Sequence, residues 1–148
     1  MIKPIVISDP YPRTLDLIFT KTKLKELKTK YKIIIAPKKN KKIFYENNIS
    51  KATFIMGQPY LDKYLLSKAS KLKCIINVES NFMDNLDYDY CFKKNIHVIA
   101  TSPVFSKPVA EIALGMTLSL LRNIHNAHFD FIKSKEKYGL ESNLQASL

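Results

Sequence analysis

Glycine is scarce in this chain, with three among 148 residues, at positions 57, 115 and 139. That spacing rules out G-x-G-x-x-G and a Walker loop, so the chain carries no recognisable phosphate cradle. Cysteine is as thin: Cys74 and Cys91 stand 17 apart, with no C-x-x-C and no His in ligand spacing. Neither a disulfide framework nor a zinc site is indicated, and both read as small core residues. No Ser sits in a G-x-S-x-G elbow. Acidic residues are outnumbered 13 to 24, giving a formal net charge of +11. Such an excess suggests nucleic acid or an anionic membrane surface. Yet only two of the basic residues are Arg, and base and phosphate recognition favours the planar Arg fork. The densest run, Lys38, Lys39, Lys41 and Lys42, has no aromatic before Phe44 and reads as a solvated loop leading into a helix. No specific nucleic-acid partner is expected.

Long apolar runs are missing as well. The N-terminus offers a four-residue apolar stretch before Asp9 and Pro10, too short for a signal peptide, so a cytoplasmic location is expected. The longest apolar segment, 109–121, is interrupted by Glu111 and falls short of the roughly 20 residues a membrane span needs, so no membrane partner is expected.

What is present is a core. With 46% hydrophobic residues and 16 aromatic ones, the chain can bury enough apolar surface to offset its ordering entropy, and its length suits one compact domain. Five short apolar runs, 4–8, 32–36, 53–57, 74–78 and 96–100, read as strands. They are nearly continuous rather than alternating, which is the pattern of strands buried on both faces of a parallel sheet. Helical candidates fall between them, at 13–30 with Leu17, Leu24, Leu27 and Tyr31 repeating at helical spacing and Thr14 as a possible cap, 41–47, 61–70, and from about 85 to 94. Alternation of this kind predicts an α/β fold, a flavodoxin-like doubly wound five-stranded parallel sheet of order 2-1-3-4-5.

The last third breaks that rhythm. One long helix is predicted from Ser106 or Lys107 to about Lys133, with Pro108 in its first turn. Val109, Ile112, Ala113, Met116, Leu120 and Ile124 make one stripe, while Ala110, Leu114, Leu118 and Leu121 carry the apolar surface nearly all round. A helix of that character calls for cover on several sides, from another domain or another subunit. The expected division is residues 1–105 as the flavodoxin-like domain and 106–148 as the long helix and the start of a linker.

Ligands of open parallel sheets bind at the carboxyl ends of the strands, so the loops opening at Asp9, Gln58, Glu79 and Thr101 are the ones to inspect. They are rich in Pro, hydroxyl and amide groups, which suits either backbone presentation to a small ligand or ordinary turns. The acidic cluster Glu79, Asp84, Asp87 and Asp89 lacks the spacing of a calcium loop, so helix capping explains it better than metal. His97, His125 and His128 have no companions that would make a general base.

The segment 72–121 resembles the N-terminal, substrate-binding domain of the D-isomer-specific 2-hydroxyacid dehydrogenases. The strand LKCIINV is followed by Asp84-Asn85-Leu86-Asp87, similar to the family's D-N-[IV]-D; the turn and strand Phe92 to Val98 come next. Ser102-Pro103-Val104-Phe105-Ser106 then precedes Val109-Ala110-Glu111, similar to the family's V-A-E. The resemblance implies hydride transfer between NAD or NADP and a small 2-hydroxy or 2-keto acid. It also implies that the loop Ser80, Asn81 and Phe82 presents N–H groups to the substrate carboxylate, with Phe105 over the substrate. Thr101 and Ser102 would approach the nicotinamide. The family often has Gly where Phe82 stands.

In the family this helix crosses into a dinucleotide-binding domain that carries G-x-G-x-x-G and the catalytic Arg, Glu and His. The 148 residues hold none of these, so the expectation is a truncated product, a fragment or half of a split enzyme, oxidoreductase by family but inactive alone, and homodimeric in full-length form. The alternative is a free-standing flavodoxin-like binding or interaction module that dimerises through its long C-terminal helix.

Overall fold

The structure, a computed structural model, describes residues 2–79 and 82–135. Strands β1 (Ile5–Asp9), β2 (Lys32–Ile35), β3 (Phe54–Gly57), β4 (Cys74–Asn77) and β5 (His97–Ala100) form one sheet in the order β2-β1-β3-β4-β5. Every neighbouring pair is parallel, as the near-continuous apolar runs require. Helices α1 (Leu15–Ile18), α2 (Lys21–Lys30), α3 (Lys41–Asn48), α4 (Lys63–Lys68) and α5 (Tyr88–Lys93) connect the strands, and a single 3-10 turn, Ile49–Lys51, follows α3. Two further helices, α6 (Ser102–Leu121) and α7 (Ile124–Ile132), come after β5.

Alternation along the strands sorts the core into two layers. Ile7, Ile55 and Ile75 lie on one face and are sealed by Tyr45, Ile49, Leu61, Leu65, Leu66 and Cys91. Val6 and Met56 lie on the other, with Leu15 and Leu24 against them. Burial on both faces holds for β1, β3 and β4. It does not hold for the edge strands β2 and β5, where Ile35 and Ile99 are half exposed.

The helix expected over 13–30 is two helices. Leu15 and Leu24 are nine residues apart, and at 100° per residue a continuous helix would place them on opposite faces. The chain instead turns extended at Phe19 and Thr20, and both leucines are buried. Leu17, expected on the buried stripe, is exposed. Thr14 stands at the N-cap of α1 without a side-chain bond, while Thr20 caps α2 by accepting from the Lys23 N–H.

The long helix also differs from expectation. It starts four residues earlier than Ser106, at Ser102, with Pro103 tolerated in the first turn; Pro108 therefore sits inside the helix. It ends at Leu121, and Asn123, in the left-handed region with φ 51°, separates it from α7. The 20-residue α6 is long and apolar enough to cross a membrane by length and composition, so the argument from shortness, which counted only 109–121, does not stand.

The chain divides into two compact units, Met1–Pro103 and Val104–Leu148. No residue of α6 or α7 is buried, and Leu114, Leu118 and Leu121 are 61%, 48% and 49% exposed.

Register brings Asp9, Gly57, Asn77 and Ala100 to one level at the carboxyl edge of the sheet. Gly57 has φ +148°, a conformation that essentially only glycine adopts, and a Cβ built on it would lie 2.3 Å from the Asp9 carbonyl oxygen. Asp9 is 1% exposed, and the Lys41 ammonium at the start of α3 meets its Oδ1 at 2.8 Å. Lys41 thus leaves the solvated run it was read into and neutralises a buried carboxylate. Tyr45, one turn along α3, buries its hydroxyl beside the Asp9 carboxylate. Burial, and then the charge of Asp9, push its ionisation well above the ordinary tyrosine value.

Two outcomes follow from this corner. Gly57→Ala should lose at least about 3 kcal/mol, because neither the backbone angle nor the space admits a methyl group; a urea midpoint equal to wild type would contradict it. In the unfolded chain Tyr45 loses its proton near pH ~10 while the folded state keeps it, so stability falls as pH rises above that value, by up to about 1.4 kcal/mol per pH unit. Tyr45→Phe should remove about 1.4 kcal/mol in total from the decline between pH 9 and 11. Parallel urea titrations of the two proteins measure it, and identical slopes would show that Tyr45 does not contribute.

Candidate functional site at the carboxyl edge of the sheet

The loops after β3 and β4 are joined at their far ends, next to α4 and α5. The Leu61 N–H donates to the Asn85 carbonyl at 2.8 Å, the Asp87 N–H donates to the Leu61 carbonyl at 3.3 Å, and Leu61 and Leu86 form an isolated parallel bridge. Asn85, 8% exposed, turns its amide onto the Pro59 carbonyl at 2.9 Å. The Asn of the D-N-x-D motif is therefore a tie between two loops. Asp87 caps α5, its Oδ1 accepting from the Tyr90 N–H at 2.8 Å, and Asp62 caps α4 in the same way from Leu65. Capping accounts for Asp87 as expected. Among the described residues no three His, Cys, Asp or Glu side chains gather to hold a metal ion.

Ser80 and Asn81, two of the three residues expected at the carboxylate, lie outside the described residues. Ahead of them, the Val78 carbonyl accepts from Thr101 Oγ1 at 3.0 Å, and the Glu79 N–H donates to Gln58 Oε1 at 3.3 Å. The Glu79 carboxylate meets the Arg13 guanidinium at 3.7 Å. Behind them, Phe82 is exposed and stacks edge-on against Tyr88, ring centres 5.9 Å apart. The Tyr88 hydroxyl donates to the Met83 carbonyl at 2.5 Å and lies 3.3 Å from Asn85 Oδ1. The ends of β1, β3 and β5 thus converge on the two residues that precede the loop, and α5 holds the two that follow it.

Of the other expected residues, Thr101 and Ser102 sit where β5 passes into α6, half-buried, with the Thr101 hydroxyl committed to Val78. Phe105 belongs to the second unit and is 45% exposed. His97 lies at the amino end of β5, away from the carboxyl-edge loops, and His125 and His128 are exposed on α7.

Sequence reasoning missed Arg13, which it took only as a helix start, and Asn77, whose fully buried amide has no hydrogen-bond partner at either atom. Asn77 carries a readable signal, since an amide closing an otherwise apolar strand breaks the pattern. Arg13 carries little beyond being one of two arginines. The thiols are inert core groups as expected: burial, and then Asp87, push Cys91 up to about 11, and burial raises Cys74.

NAD or NADP is the cofactor of the 2-hydroxyacid dehydrogenase family, and no glycine-opened cradle for its pyrophosphate is found among the described residues. Gly57 is the glycine at a strand end, and the space over it is already taken by the Asp9 backbone; Gly115 lies in the middle of α6.

The sequence pattern of the D-isomer specific 2-hydroxyacid dehydrogenase catalytic domain matches residues 5–141. No curated protein matches the chain. Among solved structures, a phosphoglycerate oxidoreductase from Rhizobium etli is 40% identical, with a TM-score of 0.77, over 99% of this chain and 45% of its own. D-Lactate dehydrogenase from Aquifex aeolicus, solved with NAD and lactic acid, is 26% identical, with a TM-score of 0.56, over 96% of this chain and 40% of its own. An NAD+-bound 3-phosphoglycerate dehydrogenase from Entamoeba histolytica, at 20% identity and a TM-score of 0.59, shares the fold over 82% of this chain and 40% of its own. The chain spans less than half the length of each of these proteins. With the matched pattern running from β1 through α7, this chain belongs to the D-isomer specific 2-hydroxyacid dehydrogenase family and carries its catalytic domain.

Proposed function

We propose that these residues form the substrate-binding part of an NAD(P)-dependent D-2-hydroxyacid dehydrogenase and hold the carboxylate of a small 2-hydroxy or 2-keto acid. The observation that carries the reading is the anchoring of both sides of segment 80–82 at the carboxyl edge of a parallel sheet. Main-chain N–H groups of Ser80, Asn81 and Phe82 then meet the carboxylate, which hydrogen bonds to an anion favour over a neutral acceptor. Phe105 would lie over the substrate in the assembled enzyme, and Thr101 and Ser102 would border the nicotinamide, Thr101 with its hydroxyl turned back to β4.

NAD or NADP, when bound, supplies or accepts the hydride. Its pyrophosphate, the Arg that clamps the acid and the His that handles the proton belong by family to a dinucleotide-binding domain. These residues alone therefore bind acid without turning it over. The apolar α6 falls inside the matched family domain, which supports burial against protein rather than lipid. The unburied leucines of α6 also favour a second reading, a module that dimerises through this helix, and the full-length enzyme would be a homodimer.

Titration of the 15N-labelled chain with pyruvate tests the reading. Amides between 79 and 85 should shift with millimolar affinity, while NADH is neither oxidised nor bound tightly. Shifts confined to other parts of the sheet, or NADH oxidation by the chain alone, would overturn it. Sedimentation addresses the second reading, for which a stable, well-defined dimer is required.

A further inference from the structure

Charge on α2 is sorted by side. At 100° per residue, Lys23, Glu26 and Lys30 fall within about 60° of one another, and Lys21, Lys25 and Lys28 fall within about 60° on the opposite side. The first group neutralises itself, with the Glu26 carboxylate 3.2 Å from the Lys23 ammonium and 3.0 Å from that of Lys30. Among the described residues the second group has no ion pair. That arrangement weakens the helix, because like charges three and four residues apart repel. The first turn, where the helix dipole favours an anion, holds no acidic residue and opens with Lys21. Among the described residues nothing offsets this cost.

The unpaired lysines border a trough. A cavity of about 420 Å³ is lined by Lys21, Leu24, Lys25 and Lys28, and Lys3, ahead of β1, also lines it and donates to the Lys28 carbonyl at 3.1 Å. A second cavity, of about 200 Å³, shares Asp16, Leu24 and Lys28 with the first and extends it past Leu15 to Ile35 on the edge strand β2. The rim thus sets four lysines and Arg13 against one acid, Asp16, while the floor is apolar and Ile35 is 52% exposed.

We propose that this trough docks an acidic segment of a partner polypeptide, one that alternates carboxylates with apolar side chains. Every second residue of an extended segment stands about 6.7 Å further along, close to the roughly 5–6 Å between neighbouring lysines of the stripe. Successive side chains point to opposite sides, so carboxylates can meet the lysines while the apolar groups between them meet the floor. A nucleic-acid backbone would use the lysines and leave the floor uncovered. No aromatic ring stands among the lysines of α2 for a base to stack on.

Fluorescence anisotropy of a labelled peptide of five Glu-Leu repeats, titrated with the full chain at about 50 mM salt, tests the proposal. The triple variant Lys21→Ala, Lys25→Ala, Lys28→Ala should weaken binding at least about tenfold. Removing the same charge elsewhere, with Lys51→Ala, Lys63→Ala and Lys71→Ala, should change it less than about twofold. A peptide of five Glu-Ser repeats carries equal charge but nothing for the floor, and it should bind about tenfold more weakly; a thymidylate hexamer should do no better. The stripe variant should melt no lower than wild type, since it loses only repulsion. Failure of wild type to bind the Glu-Leu peptide would overturn the proposal, as would equal losses in the two triple variants. So would a lower melting temperature of the stripe variant, which would give the lysines a role in the fold itself. Equal or tighter binding of the Glu-Ser peptide or of the thymidylate would overturn the occupant named here.

Discussion

Parallel register at the carboxyl edge of the sheet is the constraint on which the rest of this structure depends. Asp9, Gly57 and Asn77 end three adjacent strands at one level, and the strands can do so only because Gly57 leaves room for the backbone of Asp9. Equal strand ends release their loops side by side, within reach of each other's hydrogen bonds. Leu61 can then pair with Leu86, Asn85 can reach Pro59, and Gln58 can reach Glu79. The D-N-x-D motif, read one residue at a time, is largely a device for joining two loops and starting a helix.

The same edge carries unmet polarity. Gln58 Nε2 and both amide atoms of Asn77 are buried without a hydrogen-bond partner among the described residues. Groups of this kind cost about 1–3 kcal/mol each when left unpaired, and they gather where function imposes its own geometry. Among the described residues nothing comparable is concentrated at the amino edge, where the N–H groups of Thr53, Lys73 and His97 continue the main-chain ladder.

Much of the fold was legible from residue order, because continuous apolar runs separated by helical stretches leave few arrangements other than a doubly wound sheet. Strand order came out as expected, and so did the presence of helices after β2, β3 and β4. The errors have physical causes. A periodicity that admits Leu17, Leu24, Leu27 and Tyr31 to one stripe cannot see that Leu15 also wants the core, and burying Leu15 with Leu24 requires a break at Phe19 and Thr20. Pro108 looked like a helix start because a proline is cheapest there, yet Pro103 fills that role. Edge strands β2 and β5 read like central ones because composition does not reveal which strand has a neighbour. The site was legible only as loops. Lys41 looked like one more solvated lysine, and Arg13 like a helix start, because an ion pair with a distant residue leaves no local trace.

A crystal structure of this chain grown with oxamate tests the central claim most directly. The account predicts the oxamate carboxylate within hydrogen-bond distance of the main-chain N–H groups of residues 80–82, with Glu79 still held by Gln58 and Arg13. Oxamate bound elsewhere on the sheet, with those N–H groups turned away from it, would contradict the account.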